Sequence, residues 1–178
     1  MKSVLYKQEI MLIDGRRLIV KEAEESEANE LISFISAVGG ESNFFTFGPG
    51  EYKIRNIDER KLIRVCRESD YQALIVGRVQ NKIVGHLAFR SGILQRLRHI
   101  GEVGISVSKE YWGIGIGTSI MNAFLDWAKK SKVIRKVKLR VRSDNHRAIA
   151  VYKKLGFIEE NSIIWGAYHN LVMGRSLN

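Results

Sequence analysis

The sequence predicts an α/β fold with a central mixed β-sheet and helices on both of its faces. Periodic patterns along the chain follow the order strand, two helices, three strands, helix, strand, helix and two strands. The run of three strands favours antiparallel pairing, whereas the strand, helix and strand between residues 103 and 142 predict a parallel, right-handed crossover. A chain of 178 residues can bury a sizeable core, and we expect residues 1–178 to form a single domain.

The beginning of the chain predicts one strand and one helix. Residues 1–15 show no clear pattern and end in an Asp-Gly turn signal, after which residues 17–21 are typical of a strand. Ser26 has the side chain of a helix N-cap, and apolar residues at helical spacing follow it. We expect this helix to end at Gly39.

A long loop and a second helix come next. Residues 41–56 have no periodicity and include four aromatic residues, so they either cover the core with aromatic rings or form the wall of a substrate pocket. Asp58 is expected to cap a helix that ends near Glu68. Cys66 on this helix is interpreted as a small core residue rather than a nucleophile. The inward face is predicted to hold Ile57, Leu62, Val65 and Cys66.

The rest of the chain is dominated by strands. They are expected at residues 71–80, 82–90, 103–107, 136–142, 157–164 and 169–176. The first two are predicted to be joined by a hairpin turn at Asn81 and Lys82, and the last two to flank a turn around Gly166. Residues 136–142 alternate strictly between basic and apolar side chains, which predicts a strand with one buried face.

Three glycines stand at alternate positions directly after the central strand. They lie in the segment Tyr-Trp-Gly-Ile-Gly-Ile-Gly, residues 111–117, and a helical pattern continues from Ile116 to about Lys130. Glycines allow backbone N–H groups to approach a phosphate closely, and the positive end of the helix dipole faces the same point. The segment therefore predicts an anion site, although the glycines alone are also compatible with a plain tight turn.

Two common phosphate-binding patterns do not match this segment. A Walker loop requires a lysine between its last glycine and the Ser or Thr, but Thr118 follows Gly117 directly. In a dinucleotide fingerprint that starts at Gly113 or Gly115, the third glycine would fall on Thr118 or Ile120. The segment is therefore neither of these nucleotide-binding loops.

A second block, residues 145–157, has the pattern Asn-x-x-Ala-x-x-x-Tyr-x-x-x-Gly-Phe. This block and the glycine segment resemble the two signature blocks of the GCN5-related N-acetyltransferase (GNAT) family, in that family's order and with one helix and one strand between them. The resemblance covers roughly residues 17–177, in the first half by pattern only. It implies the family's acyl-CoA N-acyltransferase fold and an N-acetyltransferase activity with acetyl-CoA as cosubstrate.

The resemblance also implies which residues hold acetyl-CoA. Main-chain groups of Ile105 and Val107 would pair with the pantetheine arm like an added strand, and Asn145 would hydrogen-bond the same region. Arg147 or Lys154 would contact phosphates, unless these cations belong to a solvated helix face. The pyrophosphate would be held by the backbone of Trp112, Gly113, Ile114, Gly115, Ile116, Gly117 and Thr118.

Two residues are candidates for catalysis if an amine attacks the thioester directly. Such an amine is mostly protonated at neutral pH, and Glu102 is the candidate base, directly or through a water; its alternative is a surface carboxylate beside His99. Tyr152 occupies the family's tyrosine position and is the candidate acid for the departing thiolate, and its alternative is a core tyrosine. Trp112 stands where the family usually has Gln or Arg, so its side chain is not expected to contact phosphate.

Composition bears on metals, location and partners. One cysteine and four histidines far apart in the sequence give no metal-ligand spacing, so no metal is assigned. No apolar run approaches the roughly 20 residues of a membrane span and no leader pattern precedes the first strand, so we expect a cytoplasmic protein without a membrane partner. The net charge of +10 raises a basic nucleic-acid-binding module as an alternative. Nucleic acid is not the expected partner, because helix-turn-helix, zinc-finger and RNP patterns are all missing.

The acceptor is expected to be a primary amine of a small molecule or a protein. Loops near residues 39–56, 91–99 and 163–169 are predicted to set that choice, but they carry no acceptor code. The basic residues between 90 and 98 disfavour a polycationic acceptor. A CoA-binding regulator without catalysis is a further alternative, and the family resemblance allows a homodimer.

Overall fold

The structure is a computed structural model that describes residues 7–45, 47–165 and 168–177. Within these residues the chain forms eight strands and four α-helices. The strands are β1 (Gln8–Met11), β2 (Arg17–Glu22), β3 (Gln72–Val79), β4 (Lys82–Ser91), β5 (Ile100–Val107), β6 (Lys136–Arg142), β7 (Ile158–Trp165) and β8 (Tyr168–Ser176). The helices are α1 (Ala28–Val38), α2 (Asn56–Glu68), α3 (Ile116–Lys130) and α4 (His146–Lys154).

The eight strands form one mixed sheet in the order β1-β2-β3-β4-β5-β6-β8-β7. β5 and β6 are parallel and are connected through α3, whereas the other neighbouring strands are antiparallel. The mixed sheet and its antiparallel run of strands are therefore confirmed. The predicted strand at residues 136–142 coincides with β6.

Helices cover both faces of this sheet, as predicted. Alternate residues of β3 separate the two sides: Ala73 and Ile75 belong to a core that includes α3, whereas Leu74 and Val76 belong to a core with α1 and α2. Successive side chains of a strand point to opposite faces, so the two cores lie on opposite sides of the sheet. We call them the α3/α4 face and the α1/α2 face.

The two parallel strands pair only over their first three residues. Ile100, Gly101 and Glu102 pair with Lys136, Val137 and Lys138, although β5 continues to Val107 and β6 to Arg142. Beyond Glu102 the described strands offer residues 103–107 no partner on the β6 side. The central sheet therefore contains a gap between the C-terminal parts of β5 and β6.

Two helix starts differ from the predictions. Ser26 does not cap α1; it lies in a 3₁₀ turn at Glu25–Glu27, and Glu24 and Glu27 form a capping box ahead of the helix. Asp58 does not cap α2, which begins at Asn56; its carboxylate instead accepts a hydrogen bond from Arg55 at 2.6 Å. A capping box thus precedes α1, whereas the N-terminus of α2 has no side-chain cap.

The buried face of α2 also differs. Ile57 and Val65 are 63% and 43% exposed, so their predicted packing is wrong. Glu59, Ile63 and Cys66 are buried instead, at the spacing i, i+4 and i+7 of one helix face. The sequence prediction failed because a glutamate occupies a core position.

Smaller differences concern the turns and the sheet edge. β1 was not predicted, and it adds an edge strand that pairs with β2. The turn between β3 and β4 lies one residue earlier than predicted, at Gln80 and Asn81, which have φ of +47° and +65° as two-residue hairpin turns require. The turn predicted around Gly166 lies outside the described residues.

Candidate active site

The glycine segment forms a tight turn that opens α3. Gly113 and Gly115 have φ of +86° and +94°, a left-handed conformation in which a side chain would be strained. The first helical amide bond of α3 runs from Ser119 to the Gly115 carbonyl at 3.0 Å. The N–H groups of the three preceding residues, Ile116, Gly117 and Thr118, therefore point out of the helix end, where the dipole is positive. An anion placed at this end of α3 could accept hydrogen bonds from these N–H groups.

The isoleucines between the glycines hold the turn in place. Ile116 is buried at 1% exposure, and Ile114 packs against the same core. Gly117 has no positive φ, and a Cβ there would lie 3.7 Å from the Val107 side chain, an ordinary contact. Gly113 and Gly115, with their left-handed conformation, thus set the path of the backbone through the turn. Gly117 adds no side chain to the surface of the turn.

Trp112 braces the turn through two hydrogen bonds. Its backbone N–H donates to the Lys109 carbonyl at 3.2 Å, and its indole Nε1 donates to the Val107 carbonyl at 2.7 Å. The backbone N–H of Trp112 is therefore already in use in this conformation, and the predicted contact of its backbone with pyrophosphate stays a prediction. The Val107 carbonyl is likewise occupied, because it accepts the indole hydrogen bond. The backbone of Ile105, by contrast, is not paired with β6.

Arg147 lies beside the glycine turn, as the phosphate prediction requires. Its guanidinium carbon is 5.1 Å from the centre of the Trp112 ring. One of its terminal nitrogens would be 3.3 Å from a Cβ at Gly113. Lys154 is exposed at the end of α4, seven residues later, and its phosphate contact stays a prediction.

Asn145 caps α4 at the C-terminal side of β6. Its Oδ1 accepts a hydrogen bond from the N–H of Ala148 at 3.3 Å, as an N-cap does. The Nδ2 group is left as the donor with which Asn145 could meet a ligand in the gap. The predicted start of this helix is confirmed.

Tyr152 lies on the inner side of α4 and is half-buried. Its ring contacts Phe157 edge-on, with 6.0 Å between the ring centres. Burial raises the pKa of the Tyr152 hydroxyl to about 12. The phenol therefore holds its proton at neutral pH, as a proton donor must.

Glu102 lies where the pairing of β5 and β6 ends, on the α1/α2 face. Its Oε1 accepts a hydrogen bond from Nε of Arg140 at 2.7 Å. The carboxylate is therefore an ion-pair partner of Arg140 and not a neighbour of His99 in the described contacts. A role as base requires this ion pair to open or to share the carboxylate with the amine or a water.

An open patch of small residues lies near Glu102 on the α1/α2 face, which sequence reasoning did not identify. Gly104 is exposed, and the space where a Cβ would project from it is open for 4 Å. In the register of β4 and β5, Gly104 lies opposite Ala88, another small residue. The pairing register alone brings these two residues together, and no local motif marks them.

The first part of the long loop lies against the segment that leads into the glycine turn. A cavity of about 310 Å³ lies between residues 40–44 and the side chains of Lys109 and Trp112. The carboxylate of Glu41 accepts hydrogen bonds from Oγ of Ser108 at 3.0 Å and from the N–H of Lys109 at 2.6 Å. The loop is thereby attached to the segment that leads into the glycine turn.

Arg142 attaches the same loop to the start of β8. Its Nη1 donates to the Asn43 carbonyl at 2.8 Å, and its guanidinium carbon lies 3.8 Å from the centre of the Tyr168 ring and 5.2 Å from that of Phe44. An ion pair with Asp144 at 2.6 Å fixes its orientation. Arg142 therefore joins the long loop to the start of β8, a role not predicted from sequence.

The second part of the long loop covers the core. Phe45, Phe47 and Tyr52 pack on the cluster between α1, α2 and the sheet. The Tyr52 hydroxyl donates to Oε2 of the buried Glu59 at 3.1 Å, and burial raises the pKa of that carboxyl group. The aromatic cover of the core is therefore confirmed for this part of the loop, and a substrate-pocket wall formed by residues 41–44 stays a prediction.

Cys66 has the environment of a structural residue. It is buried, and desolvation raises the pKa of its thiol to about 11, so the thiolate is scarce at neutral pH. Across the described ranges, no cluster of three or more His, Cys, Asp or Glu is placed to bind a metal. None of the described helices is long and apolar enough to cross a membrane.

Comparison with known proteins assigns this arrangement to a family. Residues 40–157 match the acetyltransferase (GNAT) family. This range contains the glycine turn, α3, β6 and α4. The chain belongs to the GNAT family. The family inferred from the two sequence blocks is therefore confirmed.

Individual relatives agree with this assignment. The L-amino acid N-acetyltransferase AaaT of Escherichia coli is 29% identical over 83 residues, which are 47% of this chain and 51% of that protein. The chain thus matches about half the length of this GNAT relative. A GNAT acetyltransferase of Streptococcus pneumoniae has a structure similar at a TM-score of 0.88 and 28% identity, covering 90% of this chain and 99% of that one. The fold is shared with yncA of Salmonella typhimurium, whose structure contains its cofactor acetyl-CoA, at a TM-score of 0.76 and 13% identity over 90% of this chain and 94% of that one.

Proposed function

We infer that this chain is an acetyl-CoA-dependent N-acetyltransferase whose acceptor is a primary amine. The observation that carries the inference is the continuity between an anion site and an open strand edge. The N-terminal amides of α3 form the anion site, and β5 leads directly into it with an edge that β6 leaves open beyond Glu102. A cosubstrate with a pyrophosphate followed by an amide-containing arm needs these two features in this order.

The residues around the gap fit acetyl-CoA. The amides of Ile116, Gly117 and Thr118 would receive the pyrophosphate, with the guanidinium of Arg147 beside them. The open edge at Ile105 would pair with the pantetheine arm, toward which Asn145 can donate its Nδ2. Bound acetyl-CoA supplies an activated thioester, and the proposed reaction uses no metal.

Proton transfer is assigned to groups on the two sides of the sheet. Glu102, on the α1/α2 face, accepts the proton of the amine, directly or through a water, when its ion pair with Arg140 opens. The amine nitrogen then forms its bond to the acetyl carbon, and the bond from that carbon to sulfur breaks. Tyr152, which packs on the α3/α4 face and is protonated at neutral pH, donates its proton to the departing sulfur.

The wider proposal concerns the chain as a whole. Residues 1–178 are proposed to act as one acetyltransferase domain, which is supported by a single sheet running from Gln8 to Ser176. A cytoplasmic location, where acetyl-CoA is available, and a homodimer belong to the same proposal. Light scattering after gel filtration tests the oligomeric state.

The test of the function is an acceptor screen with acetyl-CoA. Purified protein is incubated with amino acids, amines and peptides, while released thiol and acetylated product are measured. Amino acids come first, because a relative is an L-amino acid N-acetyltransferase. We expect thiol release that depends on one class of amine. CoA binding without any acetylated amine would favour a non-catalytic regulator, and DNA binding with a steep salt dependence but no CoA binding would favour a nucleic-acid module.

A further inference from the structure

Three strands place charged residues in one row at the head of the gap. Arg90 of β4 is the register partner of Glu102 of β5, and Glu102 is the register partner of Lys138 of β6. Directly opposed residues point to the same side of a sheet. Phe89, which precedes Arg90 in β4, and Val137, which precedes Lys138 in β6, are buried on the α3/α4 face, so the row lies on the α1/α2 face.

The row holds more positive charge than its carboxylate can balance. Glu102 is paired with Arg140 at 2.7 Å. For Arg90 and Lys138, by contrast, the described residues provide neither an ion pair nor a hydrogen bond from the side chain. The neighbouring basic residues of β6 have acidic partners, since Lys136 pairs with Glu160 at 2.5 Å and Arg142 with Asp144 at 2.6 Å.

The acidic group that interacts electrostatically with Arg90 is the buried carboxyl group of Glu59, and the two side chains form no ion pair. Arg90 favours the ionised form of Glu59 electrostatically, but burial dominates and raises the pKa of this carboxyl group. Its Oε2 is also bound by the Tyr52 hydroxyl. Arg90 and Lys138 therefore remain two cations, one on each side of Glu102, without a bound carboxylate.

Open space lies next to this row on the same face. Gly104 follows Glu102 by two residues, or roughly 7 Å along the strand, and nothing within 4 Å would obstruct a Cβ on it. Ala88 lies opposite Gly104 and adds only a methyl group to this surface. A small molecule can therefore lie on Gly104 and Ala88 beside the row, with its anionic group attracted to Arg90 or Lys138 and its amine toward Glu102 and the gap.

The contacts of Arg142 at the end of β6 favour a small acceptor over a peptide. Arg142 connects the Asn43 carbonyl, at 2.8 Å, to the Tyr168 ring, at 3.8 Å from its centre. The long loop and the start of β8 thus meet over the end of β6. An extended peptide crossing this face would have to break that connection.

We propose that Arg90 and Lys138 bind the anionic group, a carboxylate or a phosphate, of a small primary amine that serves as acceptor. This inference rests on the proposed acetyltransferase function and names the substrate class of the same site. Arg90 offers a planar fork for two oxygens and Lys138 a point charge from the opposite side. Electrostatic matching of this kind selects among amines of equal reactivity.

The experiment compares matched acceptors that differ only in the anionic group. The pairs are L-amino acids with their carboxamides, and phosphoethanolamine with ethanolamine. In the wild type we expect kcat/KM for the anionic member of at least one pair to exceed that of the neutral member at least tenfold. The pair that responds tells a carboxylate from a phosphate.

Variants assign this selectivity to the row. Arg90→Gln and Lys138→Gln are each expected to lower the anionic-to-neutral ratio at least fivefold, and Arg90→Lys to restore part of it. Lys82→Gln is the matched control, since Lys82 is exposed at the opposite end of β4 and its loss should leave the ratio unchanged. A wild-type ratio near one in every pair, ratios that survive both substitutions, or a preference for an acidic peptide over all small amines would overturn the proposal.

A binding assay separates this proposal from the acetyltransferase function. The CoA-loaded protein is titrated with N-acetylated amino acids and their carboxamides, and with N-acetylated phosphoethanolamine and ethanolamine, so no turnover is needed. Tighter binding of the anionic members, lost in Arg90→Gln, supports the anion site even where thiol release is absent and catalysis has failed. Equal binding of all members overturns the anion site even where amines are acetylated.

Discussion

The two faces of the central sheet differ in how far protein covers them. On the α3/α4 face, the core continues from Leu18 in β2 through Val103 in β5 to Met173 in β8, each no more than 4% exposed. On the α1/α2 face, helices cover β2, β3 and part of β4, and the surface becomes polar at β5 and β6. Its exposed or half-buried charged residues include Arg90 near the end of β4, and Glu102, Lys138, Arg140 and Arg142 on β5 and β6.

This difference separates stability from chemistry. A sheet needs one thoroughly packed face to fold, and the α3/α4 face supplies it through apolar burial. The uncovered half of the other face leaves charged groups and a glycine floor for a ligand to complete. Substitutions on the packed face should therefore act mainly on stability, and those on the open face and at the glycine turn mainly on binding and turnover.

The largest effect is expected at the turn that joins the two faces. Gly115→Val places a β-branched residue at φ of +94° next to the free amides of α3. We expect the affinity for acetyl-CoA, measured by isothermal titration calorimetry, to fall at least 100-fold. Gly15→Val is the matched control, with φ of +84° and open space around it but far along the chain from α3. Equal losses of affinity in both variants would show that strain alone, and not the anion site, explains the result.

Turnover should depend on Tyr152, the proposed proton donor, which packs on the α3/α4 face. Tyr152→Phe removes only the hydroxyl, so we expect kcat to fall tenfold or more while the KM for acetyl-CoA changes little. Because the pKa of this hydroxyl is about 12, it should cause no loss of kcat between pH 7 and 10. Tyr71→Phe, whose ring lies under Arg98, is the control and should keep full kcat. An unchanged kcat in Tyr152→Phe would remove the proton-donor role.

Glu102 tests the open face in the same way. Glu102→Gln keeps the shape of the side chain but removes its proton acceptor, and we expect kcat to fall about tenfold. Arg140→Gln breaks the same ion pair while it keeps the carboxylate, so its kcat should change less than about threefold by the same reasoning. Steady-state kinetics with a saturating amine compare the two variants. If both lose kcat equally, Glu102 serves as the partner of Arg140 and not as the base.

The packed face was also the more predictable one from sequence. Strict alternation located β6, and the Asn145 pattern located the start of α4, because local periodicity and capping determine both. The glycine turn was found for a similar reason, since its left-handed residues must be glycines. These features depend on residues that are neighbours in the chain.

The open face depends on residues that are distant in the chain. Arg142 and the Asn43 carbonyl are 99 positions apart, and Glu59 is buried against Tyr52 from the long loop. No periodicity indicates such contacts, and the apolar Ile57 and Val65 suggested the wrong inner face for α2. The brace from Trp112 to the Val107 carbonyl was missed because an indole donor to a backbone group five residues earlier leaves no motif.

The smallest effect concerns stability where cover on the α1/α2 face ends. His86 lies on that face opposite Ser106, and burial lowers the pKa of its imidazole to about 4. The unfolded chain binds this proton near the ordinary pKa of about 6.5, so the contribution of neutral His86 is complete above that pH and is lost as the pH falls from 6.5 toward 4. His86→Gln should therefore lose fewer degrees of Tm than the wild type between pH 7 and pH 4.5, by a few degrees in a thermal melt. His169→Gln, at an exposed position, should melt with the wild-type pH dependence. Identical pH dependence in all three proteins would mean that His86 is solvated and that the covered part of this face does not include it.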